Sequence, residues 1–92
     1  MSWYTCTVNS VGPATDGTET TPPVVYINLT DTANSPAFTG QWFYASDGGQ
    51  NQMLAVALAA INGAKHVEVG AFPPNPQGTP ATAITRLYLQ AT

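Results

Sequence analysis

The sequence predicts a β-rich α+β domain, and three observations carry that reading. One segment, Gln50 to Asn62 (QNQMLAVALAAIN), reads as a helix. Three strand-like runs precede it and two follow it. The whole chain has 92 residues, the length of one domain spanning residues 1–92. The order β-β-β-α-β-β at this length is that of an OB-fold-like five-stranded barrel, with its helix between strands 3 and 4.

Each element has its own signal. Trp3 to Val11 alternates Tyr4, Cys6 and Val8 with Thr5, Thr7 and Asn9, the period-2 pattern of a half-buried strand. Gly12 to Pro23 reads as loop, with turn chemistry at Gly12-Pro13 and Asp16-Gly17. Val24 to Asp31 is the second strand, with Val25, Ile27 and Leu29 on the inner face. A turn over Thr32 to Pro36 leads to the third strand, Phe38 to Ser46, where Trp42, Phe43 and Tyr44 put rings on both faces. Gly40 inside that strand suits a bulge or bend.

Asp47-Gly-Gly-Gln50 reads as a helix cap, with Asp47 accepting from free N–H groups and Gln50 reaching back. In the helix, Met53, Val56, Ala57, Ala60 and Ile61 form a stripe at i, i+3, i+4, i+7 and i+8 that should pack on the barrel. Leu54 and Leu58 widen it, and the remaining face (Gln52, Ala55, Ala59) is uncharged. Asn62-Gly63 ends the helix, with Gly63 in the left-handed position. His66 to Val69 is the fourth strand, with Val67 and Val69 inward. Gly70 to Thr82 is a proline-rich loop, and Ala83 to Gln90 is the fifth strand, with Leu87 and Leu89 inward.

Composition narrows the function. Charged residues make up 8% of the chain, against about 25% in an ordinary domain. A surface so poor in charge is weakly defended against association. Together with rings on both faces of strand 3 and a helix apolar over most of its girth, this points to a homo-oligomer whose contacts include Gln52, Ala55 and Ala59. Net charge is −3, with two basic residues, too few to displace many counterions from a phosphate backbone, so nucleic acid is a poor partner. The longest apolar run, Met53 to Ile61, is nine residues, short of the ~20 that span a bilayer, so no membrane insertion is expected. No basic or apolar leader is read in MSWYTCTVNS, and Cys6 has no partner for an intramolecular disulfide. Both features favour the cytoplasm.

Chemistry-bearing motifs are few. One histidine and one cysteine are present, with no converging nucleophile, base and orienting group. His66 and Glu68 share a face of strand 4 and could orient an imidazole, but two polar residues on the solvent face is the better account, since no nucleophile motif stands near them. Cys6 reads as a small core hydrophobe. No cluster has metal-ligand spacing, and Asp47-Gly48-Gly49 lacks the lysine of a phosphate-binding loop. The expectation is therefore no enzyme, no metal and no cofactor. Asn28-Leu29-Thr30 matches a glycosylation sequon but lies within a strand. Aromatic residues beside amides and hydroxyls remain. Rings stack on the apolar face of a sugar while amides bond its hydroxyls, so Trp3, Tyr26, Trp42, Tyr44 and Tyr88 are the candidate ligand-binding residues. Core or interface packing is the competing explanation for them.

Pro22-Pro23-Val24-Val25 entering strand 2, the aromatic strand 3, the apolar helix ending in Asn62-Gly63 and the short strand His66-Val67-Glu68-Val69 form a recognisable series. In element order and hydrophobic pattern, residues 20–70 resemble the small OB-fold B subunits of AB5 bacterial toxins, the subtilase-cytotoxin type most of all. They are also similar to small proteins carried on mobile gene cassettes. The resemblance implies a pentameric ring, helices towards its centre, that binds cell-surface glycans. The chain departs from the toxin subunits in lacking a disulfide pair and a visible export signal. The reading that results is a non-enzymatic, ring-forming binding module for a neutral ligand such as a glycan or a protein surface. The alternative is a structural or accessory protein, phage- or cassette-borne, whose role is assembly alone.

Overall fold

A computed structural model of the chain describes residues 2–14, 24–46, 48–74 and 81–92. The elements run β1 (Ser2–Ala14), β2 (Val24–Asp31), β3 (Gln41–Ala45), α1 (Gln50–Gly63), β4 (His66–Ala71) and β5 (Thr82–Leu89). The strands close into a barrel in the order β1-β2-β3-β5-β4, with β4 pairing back onto β1. Every pairing is antiparallel except β3 with β5, which run parallel. This is the OB-fold-like architecture that the element order predicts.

β1 serves two neighbours. Its first half, Ser2 to Thr7, pairs with β4, and its second half, Cys6 to Ala14, pairs with β2. The β2 register skips Asn9 between Val8 and Ser10. A bulge there bends the strand, as a small closed barrel requires. β1 is therefore longer than its alternation suggests. Gly12-Pro13 is not a turn: both residues lie within the strand, opposite Tyr26 and Val25. Proline is tolerated in edge-like strand segments, and this half of β1 is paired on one side only. Asp16-Gly17 lies outside the described residues.

The core is the inner face of the five strands. Cys6, Ile27, Leu29, Phe43, Val67, Val69 and Ile84 are fully buried, and α1 lays Ala57 and Ala60 on them, with Met53, Leu54 and Val56 partly buried against the same cluster. Two side chains depart from the expected helix stripe. Ile61, near the last turn, is 40% exposed, and Leu58 is exposed as well. Leu54 packs on the core instead.

β3 is shorter than expected. Phe38 to Gly40 precede it as irregular chain, yet Phe38 is buried and packs edge-on against Tyr4 and Phe43, at 5.0 Å each. Gly40 makes this possible with φ +61°, a left-handed conformation that glycine adopts without strain. Its N–H donates to Thr30 Oγ1 (2.9 Å) and its carbonyl accepts from Asn28 Nδ2 (3.0 Å). Asp31, also buried, accepts from the Ala33 and Ala37 N–H groups at 3.2 and 2.8 Å, which fixes the turn between β2 and Phe38.

The C-terminal strands differ from expectation for one reason. β4 runs on to Ala71, and its register with β5 jumps from Gly70↔Arg86 to Ala71↔Ile84, skipping Thr85. This bulge turns both Ile84 and Leu87 inward, where strict alternation would allow one of them. Leu89, expected inside, is 46% exposed. Ala81 is buried at the start of β5 rather than lying on an open loop.

Both ends of α1 depart from the sequence pattern. The N-cap is Gly49, with no side-chain cap bond, and Asp47 lies outside the described residues. Gln50 does reach back: its Oε1 accepts from the Gly48 N–H at 2.9 Å. At the other end the helix takes in Gly63, and Ala64 adopts the left-handed conformation, φ 51°. The Ala64 N–H donates to the Ile61 carbonyl and the Lys65 N–H to the Ala60 carbonyl, the paired bonds of a Schellman cap. The glycine thus sits one residue before the position that needs it. Ala64→Gly is expected to raise stability by about 0.5–1 kcal/mol by relieving the alanine in the left-handed region, measured as a shift of the urea midpoint at unchanged slope. A lower midpoint would show that Ala64 is not strained.

Candidate functional site

Among the described residues, the titratable side chains do not converge. Cys6 is fully buried on β1. Burial, with the Asp31 carboxylate adding to it, pushes its thiol up from the ordinary 9.0 to about 12. A thiol held protonated in this way is a core group, not a nucleophile. His66 does not engage Glu68. Its Nδ1 lies 2.6 Å from the main-chain oxygen of Thr92, and its backbone N–H donates to the same atom. Lys65 Nζ donates to the Ala91 carbonyl at 2.8 Å. These contacts tie residues 90–92 to the start of β4. Among the described residues, no group of three or more His, Cys, Asp or Glu side chains could hold a metal ion. No described helix is long and apolar enough to cross a membrane.

The barrel sorts the five candidate aromatics into two separate groups. Tyr26, Trp42 and Tyr44 share the outer face of β2 and β3. Tyr26 lies opposite Tyr44 and Asn28 opposite Trp42, and the Tyr26 and Trp42 rings meet edge to face at 6.5 Å. Trp42 is 46% exposed. Beside the rings runs a polar network that the sequence pattern did not single out. Asn9 Nδ2, on the β1 bulge, donates to Asn28 Oδ1 and to Thr30 Oγ1, each at 2.9 Å. Asn28 and Thr30 are occupied by these bonds and by Gly40, whereas Asn9 is exposed. The missed signal was the bulge: a one-residue slip in a strand leaves no trace in a period-2 count.

Trp3 and Tyr88 form the second group, on β1 and β5, the strands that flank β4. Their rings stack at 5.9 Å with a 20° interplanar angle. Trp3 lies opposite Gly70, and Tyr88 lies opposite Glu68. Gly70 puts no side chain between the rings, so they meet across β4. Arg86 Nη1 approaches the Tyr88 hydroxyl at 3.5 Å.

Gln52, Ala55 and Ala59, expected at an interface, are all exposed on α1. At 100° per residue, Ala55 and Ala59 adjoin Leu58 and, beyond it, Ile61, so the outer flank of the helix carries four exposed apolar side chains. Gln52, about 20° from Ala59 around the helix axis, borders this flank on the side of the helix that meets β5.

Comparison with known proteins brings no match: no family model, curated protein or solved structure is significantly similar to this chain. The fold assignment therefore rests on strand order and register.

The thiol of Cys6 gives a pH signature. Its pKa is raised on folding, so its contribution to stability is fully present below pH 9.0. Above that the unfolded chain ionises first, and the contribution is lost as pH rises towards about 12. The parent is expected to lose more stability between these limits than Cys6→Val, compared by thermal denaturation at matched pH. Parallel curves for the two proteins would contradict the buried-thiol assignment. 

Proposed function

We propose that this protein is a non-enzymatic binding module that self-associates through the outer flank of α1 and takes a neutral polar ligand, a glycan, on the outer face of β2 and β3. The observation that carries the ligand reading is the half-exposed Trp42 ring beside the Tyr26–Tyr44 pair, on strands whose outward side chains include no charge. A large ring at the centre of a patch, rimmed by amides and hydroxyls, is the composition of a sugar platform. An uncharged face disfavours phosphate or carboxylate ligands there. Trp3 and Tyr88 belong to a different surface and are not part of this site.

Self-association is supported by Leu58 and Ile61, exposed beside Ala55 and Ala59. Small residues let two helices approach closely, and the larger pair supplies apolar area to bury. A ring of five copies is the assembly favoured by the resemblance to the toxin B subunits. If no glycan binds, the assembly-only reading stands in its place.

The test has two arms. A glycan array probed with the parent is expected to give discrete hits that Trp42→Ala weakens by at least about tenfold, as loss of a central aromatic anchor does. An array without hits, or hits indifferent to Trp42, would overturn the ligand assignment. Light scattering at micromolar concentration is expected to give a multiple of 9.6 kDa. Ala59→Glu should collapse it to the monomer, because a carboxylate buried without a partner is costly, while Asn34→Glu, on the exposed turn before β3, should not. A monomeric parent would remove the assembly.

A further inference from the structure

A groove of about 460 Å³ lies between α1 and β5, away from the Tyr26–Trp42–Tyr44 face. Its volume falls within the range of small-molecule sites. Met53 and Val56 from the helix and Leu87 from the strand give it an apolar floor, and Tyr88, Arg86 and Gln52 give it polar walls. The Tyr88 ring is held by its stack on Trp3, so this wall is set before any ligand arrives. Methionine in the floor adapts to ligands of differing shape.

Arg86 is one of two basic residues in the chain. Its guanidinium reaches the Tyr88 hydroxyl, at 3.5 Å, and makes no ion pair with a described carboxylate. Neither described acid, Asp31 or Glu68, pairs with it. Asp31 is bonded to the turn at Ala33 and Ala37. Glu68 faces Tyr88 from β4 without an ion pair to Arg86. Asp16, Glu19 and Asp47 lie outside the described residues. A planar guanidinium beside a phenol hydroxyl and an amide, at the rim of an apolar trough, matches a ligand with one carboxylate and an apolar body.

We propose that the α1–β5 groove is a second binding site, independent of the β2–β3 face, for a small amphipathic monocarboxylate. The carboxylate pairs with Arg86, with the Tyr88 hydroxyl and Gln52 amide as further donors, while the apolar body lies over Met53, Val56 and Leu87. Its floor residues Met53 and Val56 lie on the side of α1 away from Leu58, while Gln52 borders Ala59 at the edge of the self-association flank.

Titration of the 92-residue chain with decanoate below its micelle concentration, followed by calorimetry and by amide chemical shifts, tests this directly, with decanol and acetate as controls. Decanoate is expected to bind saturably, one per chain, and to shift residues 52–56 and 85–88. Arg86→Gln should weaken decanoate about tenfold, the loss expected for a charge-assisted pair, and leave decanol unchanged. Gln52→Trp, which fills the groove from an exposed position, should weaken both. Acetate alone should bind far more weakly. Absence of saturable binding, equal affinity for decanoate in the parent and Arg86→Gln, or shifts centred on Tyr26, Trp42 and Tyr44 would overturn the assignment. The last result would place the ligand on the other face and leave the glycan reading to its own test.

Discussion

Barrel closure rests on the parallel pairing of β3 with β5, where Phe43, Tyr44 and Ala45 meet Thr82, Ala83 and Ile84. Without it the sheet would be an open ribbon of five strands with two exposed edges, and its inner face would lie open to water. Closure buries Phe43, Ile84, Ile27 and Val69 together. The Ser46 hydroxyl adds a bond to the Ile84 carbonyl just past the end of the ladder. The helix enters at that point, so the direction of α1 and the seating of Ala57 and Ala60 follow from the same contact.

The outer surface inherits its organisation from this closure. Two bulges, at Asn9 on β1 and at Thr85 on β5, absorb the curvature of a small barrel. Each lies beside a cluster of rings. The first presents Asn9 next to the face of Tyr26, Trp42 and Tyr44. The second sets Arg86 and Tyr88 beside α1. The two surfaces differ in chemistry as well as in place: the first is neutral and hydroxyl-rich, and the second combines a guanidinium with an apolar trough.

The succession of strands along the chain and the position of the helix were legible in the sequence because each depends on local pattern. The β2 alternation of Val25, Ile27 and Leu29 and the helix span from Gln50 were read directly. What escaped was set by pairing across the sheet. The extension of β1 through Pro13 depends on that half having one neighbour. The inward turn of Ile84, and the exposure of Leu89, follow a bulge that no run of apolar residues records. The left-handed cap fell on Ala64 rather than Gly63 because the helix continued one residue further than its glycine. Among the candidate site residues, the five aromatics were found by type. Their division into two groups was not legible, since it follows from which strands are neighbours around the barrel. Arg86 carried no local signal, and its place in the groove follows from the packing of α1 beside β5.

The closure itself is open to direct observation. Nuclear Overhauser contacts between backbone protons of β3 and β5, read with amide hydrogen exchange, report whether the two strands pair. Contacts linking Tyr44 to Ala83 and Ala45 to Ile84, with slowly exchanging amides on both strands, are expected. Fast exchange along β5 and no contact to β3 would show an open sheet, and the separation of the two ring clusters would fall with it.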